Sequence, residues 1–256
     1  MCTATYLPRP HGGFLFTHSR DEKTVRPAAL LPRTYLRNGQ EIVYPKDPQG
    51  GGTWIASSSY TTVCLLNGAF TAHQPQLPYG SGPGGEPQPR HSRGLVPLHV
   101  FDYDTPDNFL RQYDPSGLEP FTLLITQMAG SPAGRLTELR WNGKRLFIND
   151  KDPDRPHIWS SATLYTPDVI EQREGWFRDW LHHQLQPSVE ATRAFHTYAG
   201  DDDAENAIRM NRPNGLMTLS LTSVVHQDEA VELLYDDFMS GQSHQLTLTR
   251  SDYATA

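Results

Sequence analysis

A series of short apolar segments rich in β-branched and aromatic residues, separated by glycine-containing turns, constrains the fold of this chain most strongly. Residues 3–7 and 14–17 flank a turn at 11–13 and predict an N-terminal β-hairpin. Asn142-Gly143 is a turn of the kind that favours a two-residue hairpin. Such consecutive segments predict antiparallel sheets. The other predicted strands are residues 53–56, 60–66, 121–126, 137–141, 144–148, 157–162, 216–225, 230–235 and 245–249.

Helical segments interrupt these strands. Thr166-Pro167-Asp168 begins the clearest helix, which we expect to run to about residue 185 because its apolar residues recur at helical spacing. Residues 188–198 predict a second helix, and a shorter one begins at Thr105. Helices inserted among meandering strands predict an α+β fold in which helices stack on antiparallel sheets.

Composition limits the class of protein. We expect residues 1–256 to form a single domain, since this length buries a substantial core. Lys and Arg number 22 against 29 Asp and Glu, and the basic residues are scattered, which argues against nucleic-acid binding. No apolar segment approaches the ~20 residues that span a bilayer, so no transmembrane segment is expected. We also expect no secretory or transit segment, and therefore a cytoplasmic protein.

The two cysteines, Cys2 and Cys64, do not predict a disulfide framework, in keeping with a reducing compartment. Cys64 lies in an apolar, β-rich segment and is expected to be a small buried hydrophobe. Cys2, in contrast, is a candidate nucleophile. Removal of Met1 would leave a free α-amine, with a pKa of about 8, next to a thiol with a pKa of about 8.5. Such an amine can take the proton of its own nucleophile; the alternative is an ordinary second residue.

Arg20 and Asp21 follow the second predicted strand. A charged segment in this position is often a solvated turn. If the first two strands pair antiparallel, however, both residues lie next to Cys2. Asp21 would then orient the α-amine, and Arg20 would lower the pKa of the thiol, as nearby cations do.

Several blocks of residues, in order along nearly the whole chain, resemble the NRDE-motif family, also called the Transport and Golgi organisation 2 family. The blocks are Met1-Cys2-Thr3, Ser19-Arg20-Asp21-Glu22, Gly51-Gly52-Thr53-Trp54, Leu65-Leu66-Asn67-Gly68, Ser92-Arg93-Gly94, Glu119-Pro120-Phe121-Thr122-Leu123-Leu124 and Trp159-Ser160-Ser161. That family is similar to the N-terminal-nucleophile hydrolases. The resemblance implies a four-layer αββα sandwich and, through the penicillin V acylases and bile salt hydrolases, cleavage of linear amides by an N-terminal Cys.

The resemblance also implies roles for five residues. Cys2 matches the nucleophile, Asp21 the residue that holds its amine, and Arg20 the motif arginine. Asn67 matches a position of the oxyanion hole, which needs hydrogen-bond donors because amide attack develops negative charge. Ser161 stands where the acylases have a second oxyanion-hole Asn. From the residues alone, Asn67 with Gly68 is equally consistent with a type I′ hairpin turn.

The chain departs from the family pattern at several positions. Ser19 stands where the motif begins with Asn, and Ser161 replaces an Asn whose loss typically costs about 100-fold to 1000-fold in rate. The C-terminal arginine that acylases keep near the nucleophile is missing from residues 216–222, and Arg212 is the nearest candidate.

Two further residues are candidates for ligand binding. Residues 73–93 are dominated by Pro and Gly and predict either a long surface loop, such as an active-site flap, or a linker between domains. His73, at the start of this segment, either lines the pocket or is an ordinary loop residue. Arg93, at its end, binds either an acidic group of a ligand or a carboxylate of the core.

These features predict an N-terminal cysteine hydrolase that cleaves a linear, non-peptide amide through a thioester on Cys2. The alternative is a non-catalytic protein that binds or carries a small hydrophobic ligand, lipid-like or heme-like, in the same cleft. The expected partner is thus a small-molecule amide or a hydrophobic ligand. We expect neither a cofactor nor a metal site: neighbouring helix residues such as His182 and His183 point about 100° apart.

Overall fold

The computed structural model describes residues 2–10, 12–72, 91–128, 134–184, 186–227 and 230–249. Within these ranges the strands, in chain order, are β1 (Cys2–Pro8), β2 (Phe14–Lys23), β3 (Leu30–Arg37), β4 (Gln40–Lys46), β5 (Ile55–Ser57), β6 (Thr61–Asn67), β7 (Phe121–Gln127), β8 (Arg135–Trp141), β9 (Leu146–Lys151), β10 (His157–Ser160), β11 (Leu216–Gln227), β12 (Ala230–Asp237) and β13 (Ser243–Thr249). The α-helices are α1 (Val96–His99), α2 (Pro106–Gln112), α3 (Pro167–His182) and α4 (Val189–Tyr198).

The strands form two antiparallel sheets. The six-stranded sheet has the order β10-β1-β2-β11-β12-β13, and the seven-stranded sheet runs from β3 to β9 in sequence order. In the six-stranded sheet, β1 and β2 are the predicted N-terminal hairpin, while β10 and β11 join them from distant parts of the chain. The N-terminal strand is therefore paired on both sides.

Three apolar clusters show how the elements are layered. The first contains residues of both sheets, such as Phe16 and Leu124, and we call it the inter-sheet core. The second lies between the seven-stranded sheet and the segment with α1 and α2. The third packs Phe177 of α3 and Phe195 of α4 against the six-stranded sheet. The fold is thus α+β, and its layers are compatible with the predicted sandwich.

Helices α2 and α4 each begin after a residue whose side chain satisfies a free backbone N–H. Thr105 accepts a hydrogen bond from the Asn108 N–H at 3.1 Å, and Ser188 accepts one from the Ala191 N–H at 3.1 Å. The predicted helices are confirmed, although α3 ends at His182 rather than near residue 185. None of the helices in the described ranges combines the length and apolarity needed to cross a membrane.

The structure differs from the sequence prediction at two strands that were not predicted, β3 and β4. Strand β3 has mostly exposed or half-exposed residues because it lies at the edge of its sheet, and so it lacks a clear apolar pattern. A turn signal was nevertheless present. Asn38-Gly39 joins the two strands with both residues at positive φ, 46° and 76°.

One alternative predicted for Arg20 and Asp21 was a solvated turn after the first hairpin. Strand β2 runs to Lys23, so Arg20 and Asp21 are strand residues, 5% and 0% exposed. The solvated-turn alternative is therefore wrong. Pairing with β1 on one side and β11 on the other extends β2 beyond its apolar part.

We predict that Gly13→Ala destabilises the fold more than Gly39→Ala. Both glycines have positive φ, 81° and 76°, but a Cβ at Gly13 would lie 2.0 Å from the carbonyl oxygen of His226, whereas a Cβ at Gly39 meets nothing within 4 Å. Gly39→Ala should cost about 1 kcal/mol of backbone strain, and Gly13→Ala a further ~1–3 kcal/mol for the clash. Urea unfolding of both variants measures the difference; equal losses would contradict the prediction.

Candidate active site

The register of three neighbouring strands assembles the candidate site. Cys2 of β1 lies opposite Arg20 of β2, and Arg20 lies opposite Ser220 of β11. Residues directly opposite each other project to the same face of a sheet, and successive residues project to opposite faces. Cys2 and Arg20 therefore face the inter-sheet core, whereas Asp21 faces the helices.

The Cys2 thiol is enclosed. Cys2 is 3% exposed and belongs to the inter-sheet core, as does Cys64, which is 0% exposed. Burial raises the pKa of the Cys2 thiol, and the charge of Asp21 adds to the rise more than a hydrogen bond from the Asp21 backbone N–H opposes it. Burial raises the pKa of Cys64 well above its ordinary value. The Cys2 sulfur consequently needs a base to become a nucleophile.

The Asp21 carboxylate is held by hydroxyl groups on the helix side of the sheet. Tyr165 Oη donates to Oδ2 at 2.7 Å, and Thr218 Oγ1 donates to Oδ1 at 2.7 Å. Burial raises the pKa of Asp21, whereas the charge of Arg173 and these two hydrogen bonds oppose the rise. Both oxygens are thus oriented by fixed partners.

Arg173 supplies the positive charge near Asp21. It lies on α3 with 0% exposure and stacks on the Tyr165 ring, its Cζ 3.5 Å from the ring centroid. Its Nη1 donates to Thr3 Oγ1, its Nε to the Asn206 carbonyl at 2.9 Å, and its Nη2 to the Ala207 carbonyl. A buried guanidinium with all three nitrogens bonded fixes the start of β1 against the helix layer.

A β-bulge in β11 places one β11 residue opposite Asp21 and another opposite Arg20, on the two different faces of the sheet. Thr218 lies opposite Asp21 and Ser220 opposite Arg20, so Leu219 is an extra residue. In a regular strand Thr218 and Ser220, which are two residues apart, would project to the same face, whereas their partners Asp21 and Arg20 project to opposite faces. The bulge brings the Thr218 hydroxyl to the Asp21 carboxylate.

Ser161 joins the ends of β6, β10 and β1. Its N–H donates to the Cys2 carbonyl at 2.9 Å, and its hydroxyl donates to the Asn67 carbonyl at 2.7 Å. The structure therefore brings Cys2, Arg20, Asp21, Asn67 and Ser161 into one region. The Ser161 hydroxyl proton is already engaged in this arrangement.

Asn67-Gly68 is not a two-residue hairpin turn, because β6 pairs with β7, which begins only at Phe121. The Gly68 N–H donates instead to the Pro120 carbonyl at 2.9 Å. A Cβ at Gly68 would lie 2.5 Å from Thr163 Oγ1, so the residue must be small. The hairpin alternative for Asn67 is wrong.

Arg93 pairs with a carboxylate of the protein, the second of its two predicted alternatives. Its Nη2 lies 2.9 Å from Glu119 Oε2, and its Nη1 donates to the Pro120 carbonyl at 3.0 Å. The same carbonyl accepts the Gly68 N–H, so Arg93 supports the backbone that follows Asn67. His73 lies outside the described residues.

Arg212, the candidate for the missing arginine, is only partly buried. Its Nε donates to the Glu205 carbonyl at 3.0 Å, and its Cζ lies 5.5 Å from the Tyr165 ring centroid. Arg173 is closer to that ring and fully buried. The buried arginine behind Asp21 thus comes from α3.

Ser19, which stands where the family motif has Asn, contacts His196 of α4. Ser19 Oγ lies 2.8 Å from His196 Nδ1, and Thr5 Oγ1 lies 2.8 Å from Nε2. Burial, followed by the charges of Arg193 and Arg173, lowers the pKa of His196 to about 3. The imidazole is therefore neutral and bridges β1 and β2 to the helix layer.

Sequence reasoning missed Tyr165, Arg173, Thr218 and His196. Arg173 lies in a polar stretch of the helix, Glu171-Gln172-Arg173-Glu174, and such a stretch predicts exposure. Thr218 lies within residues 216–222, where the resemblance implies an arginine, and a threonine in a predicted strand does not indicate a site. Among the described residues, no group of three or more His, Cys, Asp or Glu side chains is arranged to hold a metal ion.

We predict that His196→Gln reduces the acid sensitivity of the fold. Unfolded His binds a proton below its ordinary pKa of 6.5, whereas folded His196 does not until about 3, so stability is lost as pH falls through this window. Because of His196 alone, the free energy of unfolding should fall by about 2 kcal/mol between pH 7.5 and pH 5.0. Urea unfolding at both pH values measures the loss, which should be about 2 kcal/mol smaller in the variant. Identical pH dependence in the two proteins would refute the assignment.

We also predict coupling between Asp21 and Arg173. Arg173→Met removes the positive charge that acts most strongly on the buried Asp21 carboxylate and should destabilise the fold by about 3–5 kcal/mol. Adding Asp21→Asn removes the unbalanced charge and should restore part of that loss. A double-mutant cycle in urea measures the coupling energy, expected at ~1–3 kcal/mol. Additive losses would show that the two charges act independently.

Comparisons with known proteins bear on the family. A search among curated proteins gives no match. The family model described as Transport and Golgi organisation 2 matches residues 1–234 of the 256. This match confirms the family part of the resemblance seen in the sequence. The chain belongs to the Transport and Golgi organisation 2 family.

Proposed function

We propose that this protein is an N-terminal cysteine hydrolase that cleaves a linear, non-peptide amide bond, as the similar penicillin V acylases and bile salt hydrolases do. The observation that carries the proposal is the arrangement around Cys2. Its side chain is sheltered in the inter-sheet core, its carbonyl accepts the Ser161 N–H, and hydroxyl groups fix the Asp21 carboxylate on the neighbouring strand.

The proposed reaction requires removal of Met1, which turns the Cys2 nitrogen into an α-amine. This amine takes the thiol proton, and the sulfur attacks the carbonyl carbon of the substrate. The C–N bond then breaks, the leaving amine receives the proton, and a thioester remains on Cys2. Water, deprotonated by the same amine, hydrolyses the thioester to the acid and restores the thiol.

The neighbouring residues have distinct roles in this proposal. Asp21 orients the α-amine and stabilises its protonated form. Asn67 and backbone N–H groups bind the oxyanion, where preorganised donors are most effective. Ser161 supports Asn67 through the bond to its carbonyl, so its hydroxyl acts on the backbone rather than on the oxyanion.

Non-catalytic binding of a small hydrophobic ligand is the second candidate function. The engaged Ser161 hydroxyl favours it, because a catalytic site loses an oxyanion donor at this position. The raised pKa of Cys2 also favours it, since the thiol is unreactive unless an amine is present as base. The two functions therefore differ in whether Met1 is removed and Cys2 acylated.

We predict that Cys2, and not Cys64, forms an acyl adduct. The protein is incubated with a panel of linear N-acyl amides, quenched in acid and analysed by intact and peptide mass spectrometry. Wild type should lack Met1 and carry the acyl group on the Cys2 peptide. Cys2→Ala should lose both adduct and turnover, whereas Cys64→Ala should keep them, because Cys64 is fully buried with its pKa raised well above the ordinary value.

Two results would overturn the hydrolase proposal. Retention of Met1 in the purified protein blocks the amine and leaves ligand binding as the function. Equal turnover by wild type and Cys2→Ala would assign the reaction to another nucleophile.

A further inference from the structure

Arg20 is a buried cation that bonds to none of the residues the structure describes. Its side chain lies opposite Cys2 on the same face of the sheet, and the residue is 5% exposed. The guanidinium lies over the Trp54 ring, its Cζ 4.4 Å from the centroid. Within the described part of the chain, no hydrogen bond and no ion pair reaches its nitrogens. Buried guanidinium groups are normally bonded, so this one is an exception that points to a ligand.

Two carboxylates in the neighbourhood of Arg20 form no ion pair with it. Glu22 and Asp47 lie close enough for its charge to lower their pKa values, although other causes are larger. Both carboxylates, however, are bound by Arg26: Nη1 lies 3.8 Å from Glu22, and Nη2 and Nε contact Asp47 Oδ2, the latter at 3.1 Å. Arg26 therefore occupies the acidic groups and leaves the donors of Arg20 available.

His18 adds an acceptor on the same face. It lies two residues before Arg20 on β2, and its Nε2 is 3.3 Å from the Leu65 carbonyl. A carbonyl only accepts, so Nε2 carries the proton and Nδ1 of the neutral ring has a free lone pair. Nδ1 is buried and has no hydrogen-bond partner among the described residues. A buried acceptor and a cation that bonds to none of the described residues thus lie on the face that bears the Cys2 thiol.

We infer that Arg20 binds a carboxylate carried by the substrate, so that the hydrolysed amide belongs to the class of amides with a carboxylate near the scissile bond. The inference rests on the proposed function of Cys2. A guanidinium offers parallel N–H donors that match a planar carboxylate, and the Trp54 ring holds their plane before the ligand arrives. The lone pair of His18 Nδ1 accepts an N–H or O–H of the same ligand.

The test compares two alkylating reagents that differ only in this group. Iodoacetate and iodoacetamide transfer the same carbon to a thiolate with loss of iodide, but only iodoacetate carries a carboxylate. Rates are measured at the Cys2 peptide, in the Cys64→Ala background, and expressed as the ratio of the iodoacetate rate to the iodoacetamide rate. A ratio removes effects on the thiol itself, because these change both rates alike.

We expect the ratio at Cys2 to exceed that of free cysteine by tenfold or more, about the factor that one charge-assisted hydrogen bond supplies. Arg20→Met should abolish the excess, and Arg20→Lys, which keeps the charge but not the planar donors, should retain only part of it. Arg155→Met is the matched control, since Arg155 is 78% exposed and its loss changes the net charge equally. Its ratio should equal that of wild type.

An unchanged ratio in Arg20→Met, or an equal fall in Arg155→Met, would overturn the inference. The readout is independent of amide hydrolysis. A raised iodoacetate-to-iodoacetamide ratio without an acyl adduct would support the carboxylate subsite and contradict the proposed hydrolase function. An acyl adduct without a raised ratio would support the hydrolase function and contradict the carboxylate subsite.

Discussion

Strand β2 is the element on which the rest of the structure depends, because it is paired with β1 on one side and β11 on the other. Adjacent residues of a strand project to opposite faces, so Arg20 and Asp21 serve two different environments. Arg20 faces the inter-sheet core with Cys2, and Asp21 faces the helix layer. A shift of one residue in the pairing of β1 with β2 would place Cys2 and Arg20 on opposite faces of the sheet.

The helix side of the six-stranded sheet is unusually polar for a buried layer. Thr3, Ser19 and Asp21 are fully buried there and bind Arg173, His196 and Tyr165, respectively. Buried polar groups stabilise a fold only when their partners are in place, and they then favour one packing over its alternatives. The layer therefore aligns α3 and α4 with the first two strands, and through them holds the backbone of Cys2.

The sequence predicts the strands and helices of this fold better than it predicts the residues that surround Asp21. The hairpin of β1 and β2 and the two long helices follow from turn residues and periodicity, which are local signals. Strand β3 lacked such a pattern because its residues are largely exposed, and Asn38-Gly39 was its remaining indication. Arg173 and Tyr165 act on Asp21 across more than 140 residues of sequence. No local pattern encodes such a contact, since their burial is decided only when α3 docks on the sheet.

Arg20 and Arg173 show why burial alone does not identify a functional residue. Both are buried, and each lies over an aromatic ring. Arg173 donates from each of its three nitrogens to an acceptor of the protein, so these bonds fix its guanidinium as part of the fold. Arg20 has a ring and two carboxylates nearby, yet Arg26 binds those carboxylates. Among the described residues the Arg20 charge is unpaired; the cost of burying such a charge must be offset elsewhere in the fold, and it is typical of a site that is completed by its ligand.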